Sequence, residues 1–318
     1  GTGPYKILSN DDTTEVVLVK NEDYHGGNVN LDTLRVLYYD DAQTKLIAYE
    51  NGDIDLSDLP ASQLEQYEAN HADEIKKYYP LGTTFISLNL KSEYISDVNV
   101  RKAISLAINR EELVNTILAG AGIPATTFLN NKIPGHDDSL PVMEYNPEKA
   151  KKILADAGYN SGINLTAEVR DTDEAIFNAI QGYLEEVGIH LEVKKVDNAT
   201  WNSDRAAGNV QMTGMQWNAL YPDADFQMYN YFYSKNSVNR GVFYDNPAYD
   251  AALDKGRSST EKQRAELYKQ ADHILTFEDY AAIPLYYPQS QFIAKPFVKD
   301  FTVGNLIYHF WNVDVDMK

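Results

Sequence analysis

INLTAEVRDTDEAIFNAIQGYLEEVGIHLEVKKVDNATWNSDRAAGNVQMTGMQW, residues 163–217, is the stretch on which the fold class turns. Ile163 to Val169 reads as a strand and Thr172 to Val187 as a helix. Ile189 to Val196 is the next strand, Asn198 to Ala207 the next helix, and Val210 to Trp217 a third strand. Strands that alternate with helices imply parallel pairing through right-handed crossovers, and hence an α/β protein. In open α/β sheets ligands bind beyond the carboxyl ends of the strands. Trp217, at the end of the third strand, is therefore placed to meet one.

Outward from this core, Trp217 to Tyr233 reads as an aromatic-rich loop holding Trp217, Tyr221, Phe226, Tyr229, Tyr231, Phe232 and Tyr233. Pro247 to Lys255 reads as a helix, and Thr260 with Gln263 forms a capping box for another, with Leu267, Ala271, Ile274 and Leu275 facing inward. Ile283 to Tyr287 and Gln291 to Ala294 are strands, and the tail to Lys318 has strand character. Upstream, Val16 to Val19, Leu34 to Tyr39 and Ile54 to Leu56 are strands, whereas Ala42 to Asn51, stopped by Gly52, and Ser62 to Ala72 are helices. Thr83 to Leu90 alternates, with Phe85, Ser87 and Asn89 on one face and Thr84, Ile86, Leu88 and Leu90 on the other. That pattern predicts a strand with one apolar and one polar face. Residues 98–119 read as two consecutive helices, the second capped by Asn109 with Glu112 three residues on. Gly120 to Pro147 is a long loop, and Pro147 to Ala157 is a helix stopped by Gly158.

The 318 residues suggest two domains, and a hydrophobic fraction of 43% with 24% charged residues is that of a globular chain rather than a disordered one. A net charge of −19 repels phosphate, so nucleic acid and anionic membrane are not the expected partners. The absence of cysteine excludes disulfides, thiolate metal sites and cysteine nucleophiles. The six histidines show no i, i+4 pair, and Asp53, Asp55 and Asp58 lack the glycine and terminal glutamate of a calcium loop. No phosphate-binding loop or nucleophile elbow is present, so no metal or cofactor is expected. The adjacent acids Asp137-Asp138 and Glu185-Glu186 leave a secreted glycoside hydrolase as the alternative from the enzyme class. Tyrosine is abundant, 23 against 11 phenylalanines, and half-buried sheet positions account for most of it.

Five blocks, in order along the chain, resemble one family. Val100-Arg101-Lys102-Ala103-Ile104 through Ala107-Ile108-Asn109-Arg110 is similar to a signature of the extracellular solute-binding proteins of oligopeptide and dipeptide ABC importers. Gly1-Thr2-Gly3-Pro4-Tyr5, Asn146-Pro147-Glu148-Lys149-Ala150 with Ala157-Gly158-Tyr159, Trp217 to Ala224, and Ile283-Pro284-Leu285-Tyr286-Tyr287 resemble further blocks of that family. The resemblance implies a periplasmic-binding-protein-like two-lobe fold of the class II type. It also implies truncation, since the block at Gly1 lies mid-chain in the family: residues 1–87 and 288–318 would be the later part of lobe one, and 88–287 a complete lobe two. Signal and lipid anchor would then precede the sequence. The implied protein is not an enzyme. It is an extracytoplasmic monomer that closes on a peptide or other extended solute and delivers it to a membrane permease; a peptide-sensing surface protein without a transport role is a further alternative.

The same resemblance implies the site. The strand Gln216, Trp217, Asn218, Ala219 and Leu220 would pair its backbone with the ligand, with Trp217 as a wall and Tyr221 nearby. Tyr286 would reach in from the interlobe crossover. The family's aspartate that pairs with a ligand α-ammonium falls at Leu220, which cannot neutralise a buried charge. Asp223 matches the motif's second acid, so Asp223, Asp225 or another acid would take over the anchoring, or the ligand has no free amino terminus there.

Overall fold

In a computed structural model the chain is described over residues 1–39, 41–304 and 307–316. It divides into two compact units, Pro80–Pro288 and Gly1–Tyr79 with Gln289–Lys318. The elements of the larger unit are β1 (Gly82–Leu88), α1 (Val98–Ala107), β2 (Gly122–Pro124), α2 (Pro147–Asp156), β3 (Ile163–Val169), α3 (Glu174–Glu186), β4 (Ile189–Lys195), α4 (Asn198–Ala207), β5 (Met212–Asn218), α5 (Ala224–Phe232), α6 (Pro247–Arg257), α7 (Glu261–His273) and β6 (Ala282–Pro288). Six strands form one mixed sheet in the order β2-β6-β1-β5-β3-β4. β3 and β4 are parallel from Ile163↔Ile189 to Val169↔Lys195, as the alternation of strand and helix requires. β1 runs antiparallel to both of its neighbours, β5 and β6.

The expected polar face of β1 is a correction to the sequence reading. Every residue of Gly82–Leu88 is buried, because this strand lies mid-sheet between two packed layers. Ile86 and Leu88 belong to a core with Ile104, Phe177 and Ile180, while Phe85 on the opposite face joins Phe128, Tyr231 and Phe232. The polar side chains are buried with partners: Thr83 Oγ1 donates to Phe128 O at 2.7 Å, and Ser87 Oγ lies 3.0 Å from Tyr231 Oη. For the same reason the unit boundary falls at 79/80 rather than at the expected 87/88, since β1 is integral to the larger sheet. The second boundary, at 288/289, lies one residue beyond the expected 287/288.

The arginines of the Val100–Arg110 block hold backbone. Arg101 donates to Ile95 O, Ser96 O and Asp279 O at 2.8–2.9 Å. Arg110, 1% exposed, donates to Pro284 O, Ser105 O and Ile108 O, so it ties the end of α1 to β6. Asn109 caps the short helix Arg110–Glu112 as expected, its Oδ1 accepting from Glu112 N.

The smaller unit has a three-stranded antiparallel sheet of Tyr5–Asn10, Glu15–Lys20 and Thr33–Leu37. A second sheet places Ser290–Ala294 between Leu56–Asp58 and Ile75–Tyr78. The strand expected at Ile54 to Leu56 is thus shifted to Leu56–Asp58. The helix Ala42–Asn51 ends where expected, with Gly52 at φ 82° as its left-handed stop.

Candidate functional site

The candidate residues cluster at the carboxyl end of β5. Backbone parity there follows from two flanking bonds: Asn89 N donates to Gln211 O and Ala219 N to Leu81 O. In the antiparallel register that pairs Met212 with Leu88 and Asn218 with Gly82, odd-numbered residues of β5 bond to β1. The backbone groups of Met212, Gly214, Gln216 and Asn218 therefore point to the opposite edge. β3 meets that edge at Met212↔Ala167 alone. Beyond Val169, where β3 ends beside the buried Gly214, no strand among the described residues runs beside Gln216 and Asn218 on that side.

Side chains frame this edge. A Cβ on Gly214 would lie 3.0 Å from Phe177 and 3.1 Å from Asp173, so the glycine lets the start of α3 approach the strand. Gln216 is exposed, and its Nε2 donates to Asn218 Oδ1 at 3.1 Å. A Cβ on Gly82 would collide with Asn218, at 1.8 Å from Oδ1, so that glycine makes the room Asn218 occupies. Trp217 is half-buried, stacked on Phe226 at 6.3 Å and edge-on to Tyr231 at 5.2 Å. Its indole Nε1 is buried without a hydrogen-bond partner among the described residues. Ala219 is fully buried, whereas Leu220 and Tyr221 are 55% and 53% exposed. Tyr286 stands in β6 opposite Thr84 of β1 and is 8% exposed; burial raises the pKa of its hydroxyl.

The stretch expected as an aromatic loop is in large part the helix α5. Asp223 caps it, accepting from Asp225 N at 2.8 Å, and Met228, Tyr231 and Phe232 form its buried face. Asp223 also accepts two bonds from Arg264 Nη2, at 2.7 and 2.8 Å. Asp225 accepts from Tyr268 Oη at 2.9 Å and lies 3.3 Å from Arg257. Both acids nearest Leu220 in sequence are thus already committed to arginines. Acids considered for glycoside hydrolysis are engaged too: Asp137 is ion-paired with Lys269, and Glu185 Oε2 lies 2.7 Å from His190 Nδ1. A cleft of about 520 Å³ between Asp137, Lys269, Asp272 and Phe277 is lined by none of the candidate residues.

Two arginines at the site have no sequence motif to mark them. The Arg240 guanidinium lies 4.6 Å from the Trp217 ring centre, and Arg205 Nη1 donates to Arg240 O at 3.3 Å.

Residues 1–239 match the family model described as bacterial extracellular solute-binding proteins, family 5, middle. Over its full length the chain is 26% identical to the probable D,D-dipeptide-binding periplasmic protein DdpA of Escherichia coli, 63% of which it covers. Over 95% of its length it is 28% identical to the periplasmic oligopeptide-binding protein OppA of Haemophilus influenzae, covering 58% of that protein. Among solved structures, the ABC transporter-associated periplasmic binding protein DppA of Helicobacter pylori, in complex with the peptide STSA, superposes with a TM-score of 0.87 at 27% identity, over 99% of this chain and 63% of the other. The chain therefore spans less than two thirds of the length of these relatives. The match bears out the expected α/β fold of the class II periplasmic-binding-protein type.

Proposed function

Because the chain belongs to the bacterial extracellular solute-binding proteins of family 5, we propose that it is the ligand-holding part of an extracytoplasmic subunit of an ABC importer. It binds an extended, peptide-like solute by strand addition to β5 and catalyses no reaction, and a membrane permease receives the solute. The observation that carries this reading is the open edge at Gln216 and Asn218. Backbone donors and acceptors spaced two residues apart are what an extended peptide pairs with, whatever its side chains. Trp217 walls one side of the edge, with Tyr221 beyond it. The relatives named for dipeptide and oligopeptide binding, and the one solved with the peptide STSA, support the same class of ligand.

Hydrogen exchange read by NMR tests it, with Ser-Thr-Ser-Ala and a pool of random tetrapeptides as probes. Ligand should slow the amides of Gln216 and Asn218 at least several-fold and leave those of Thr213, Met215 and Trp217 unchanged, since these already bond to β1. If a probe binds by calorimetry and exchange across residues 212–218 stays the same, strand addition to β5 is wrong.

A further inference from the structure

We propose that the Arg240–Trp217 cluster at the end of β5 receives a carboxylate, or an equivalent oxyanion, of the solute and not an ammonium group. This deepens the strand-edge reading above and rests on it.

An ammonium would need an acid, and Leu220, 55% exposed and apolar, supplies none; Glu168 on β3 is the acid whose Oε2 is buried without a partner among the described residues. Asp223 is held by Arg264, Asp225 by Tyr268 and Arg257, and Asp173 by Arg170 at 2.9 Å. The cations beside Trp217 are in the opposite condition. Arg240 is half-buried, stacked on Trp217, and has no carboxylate within ion-pair distance among the described residues; its Nε reaches only Asn230 O, at 3.4 Å. Arg205, likewise half-buried, lies over the Trp201 ring at 4.8 Å and also has no acidic partner there. Two N–H groups of this cluster, Arg205 Nε and Trp217 Nε1, are buried without acceptors among the described residues.

Burying donors and unpaired guanidinium charge is costly unless an acceptor arrives. One oxyanion accepts from several of these N–H groups at once, and the flat guanidinium suits a carboxylate in particular. In a chain of net charge −19, two adjacent arginines left without acids form a local reversal of sign that surface solubility does not explain.

Three matched probes separate the possibilities by ligand-observed saturation-transfer NMR on the full chain, which reads millimolar dissociation constants. They are trialanine, N-acetyl-trialanine, which keeps only the carboxylate, and trialanine amide, which keeps only the ammonium. N-acetyl-trialanine should bind at least tenfold more tightly than trialanine amide. Arg240→Gln should abolish that preference, and Arg240→Lys should restore part of it, with circular dichroism showing that each variant is folded. Tighter binding of the amide, or a preference untouched by Arg240→Gln in a folded protein, overturns the assignment of charge and leaves strand addition standing. Failure of all three probes to bind overturns both readings.

Discussion

Asp272 is a carboxyl group 3% exposed, accepting from Thr127 Oγ1 at 2.6 Å and Thr276 Oγ1 at 3.1 Å. Burial outweighs these bonds and pushes its pKa up to about 6 from 3.8. Between those values the folded protein holds a proton that the unfolded chain has released, so stability falls as pH rises through this window. A rise of that size corresponds to roughly 3 kcal/mol. Asp272→Asn cannot titrate, so the variant should lose less stability than the parent between pH 4 and pH 7, by up to that amount. Urea denaturation at the two pH values checks it; equal pH dependence in both proteins would mean that Asp272 is ionised without penalty. Such a residue is invisible in a sequence, because an aspartate in a helix rich in charged residues reads as solvated. Leu220 was legible by contrast, because a motif fixed which residue to expect there. Arg101 and Arg110 lay in a motif as well, and the structure gives them the work of holding carbonyls.

At the scale of the element, α5 depends on Asp223 for its cap, and Asp223 in turn accepts at both oxygens from Nη2 of Arg264. Asp223→Ala should cost about 1–2 kcal/mol, the usual loss for a helix N-cap. Asp223→Asn keeps a good cap and loses the carboxylate, so it should recover most of that loss, as a half-exposed ion pair contributes little. Thermal melts of both variants decide it, and an asparagine as damaging as alanine would assign the stability to Arg264 instead. The parallel unit β3–α3–β4 was legible because its apolar period switches cleanly between strand and helix. The helix α5 was not, since seven aromatics between Trp217 and Tyr233 resemble a ligand-facing loop until Asp223 is recognised as a cap. The alternation in β1 misled for a different reason. Period-two patterning marks a strand but does not say whether its polar side chains face water or buried partners such as Phe128 O and Tyr231.

At the scale of the molecule, the two units differ in how their chains are assembled. The larger is one uninterrupted segment holding all six strands of its sheet and, among the described residues, two of the three hydrophobic clusters. The smaller unit takes the central strand of its second sheet, Ser290–Ala294, from the far end of the chain, and Ile293 of that strand is fully buried in its core. A segment with its own core and no missing strand can fold alone. Residues 80–288 should therefore express as a soluble protein with one cooperative thermal transition, whereas residues 1–79 should remain unfolded without their central strand. Placing the first cut at residue 87 sharpens the test. Residues 88–288 lack nearly all of β1, which lies between β5 and β6 and carries Phe85 and Ile86 into the two cores. Losing that strand opens the sheet in its middle and leaves two long edges unpaired, a state prone to aggregate. Circular dichroism melts and size-exclusion chromatography of the two segments should thus give a cooperative monomer for 80–288 and an aggregated or non-cooperative product for 88–288. Equal behaviour of the two would show that β1 is dispensable and that the larger unit begins after it.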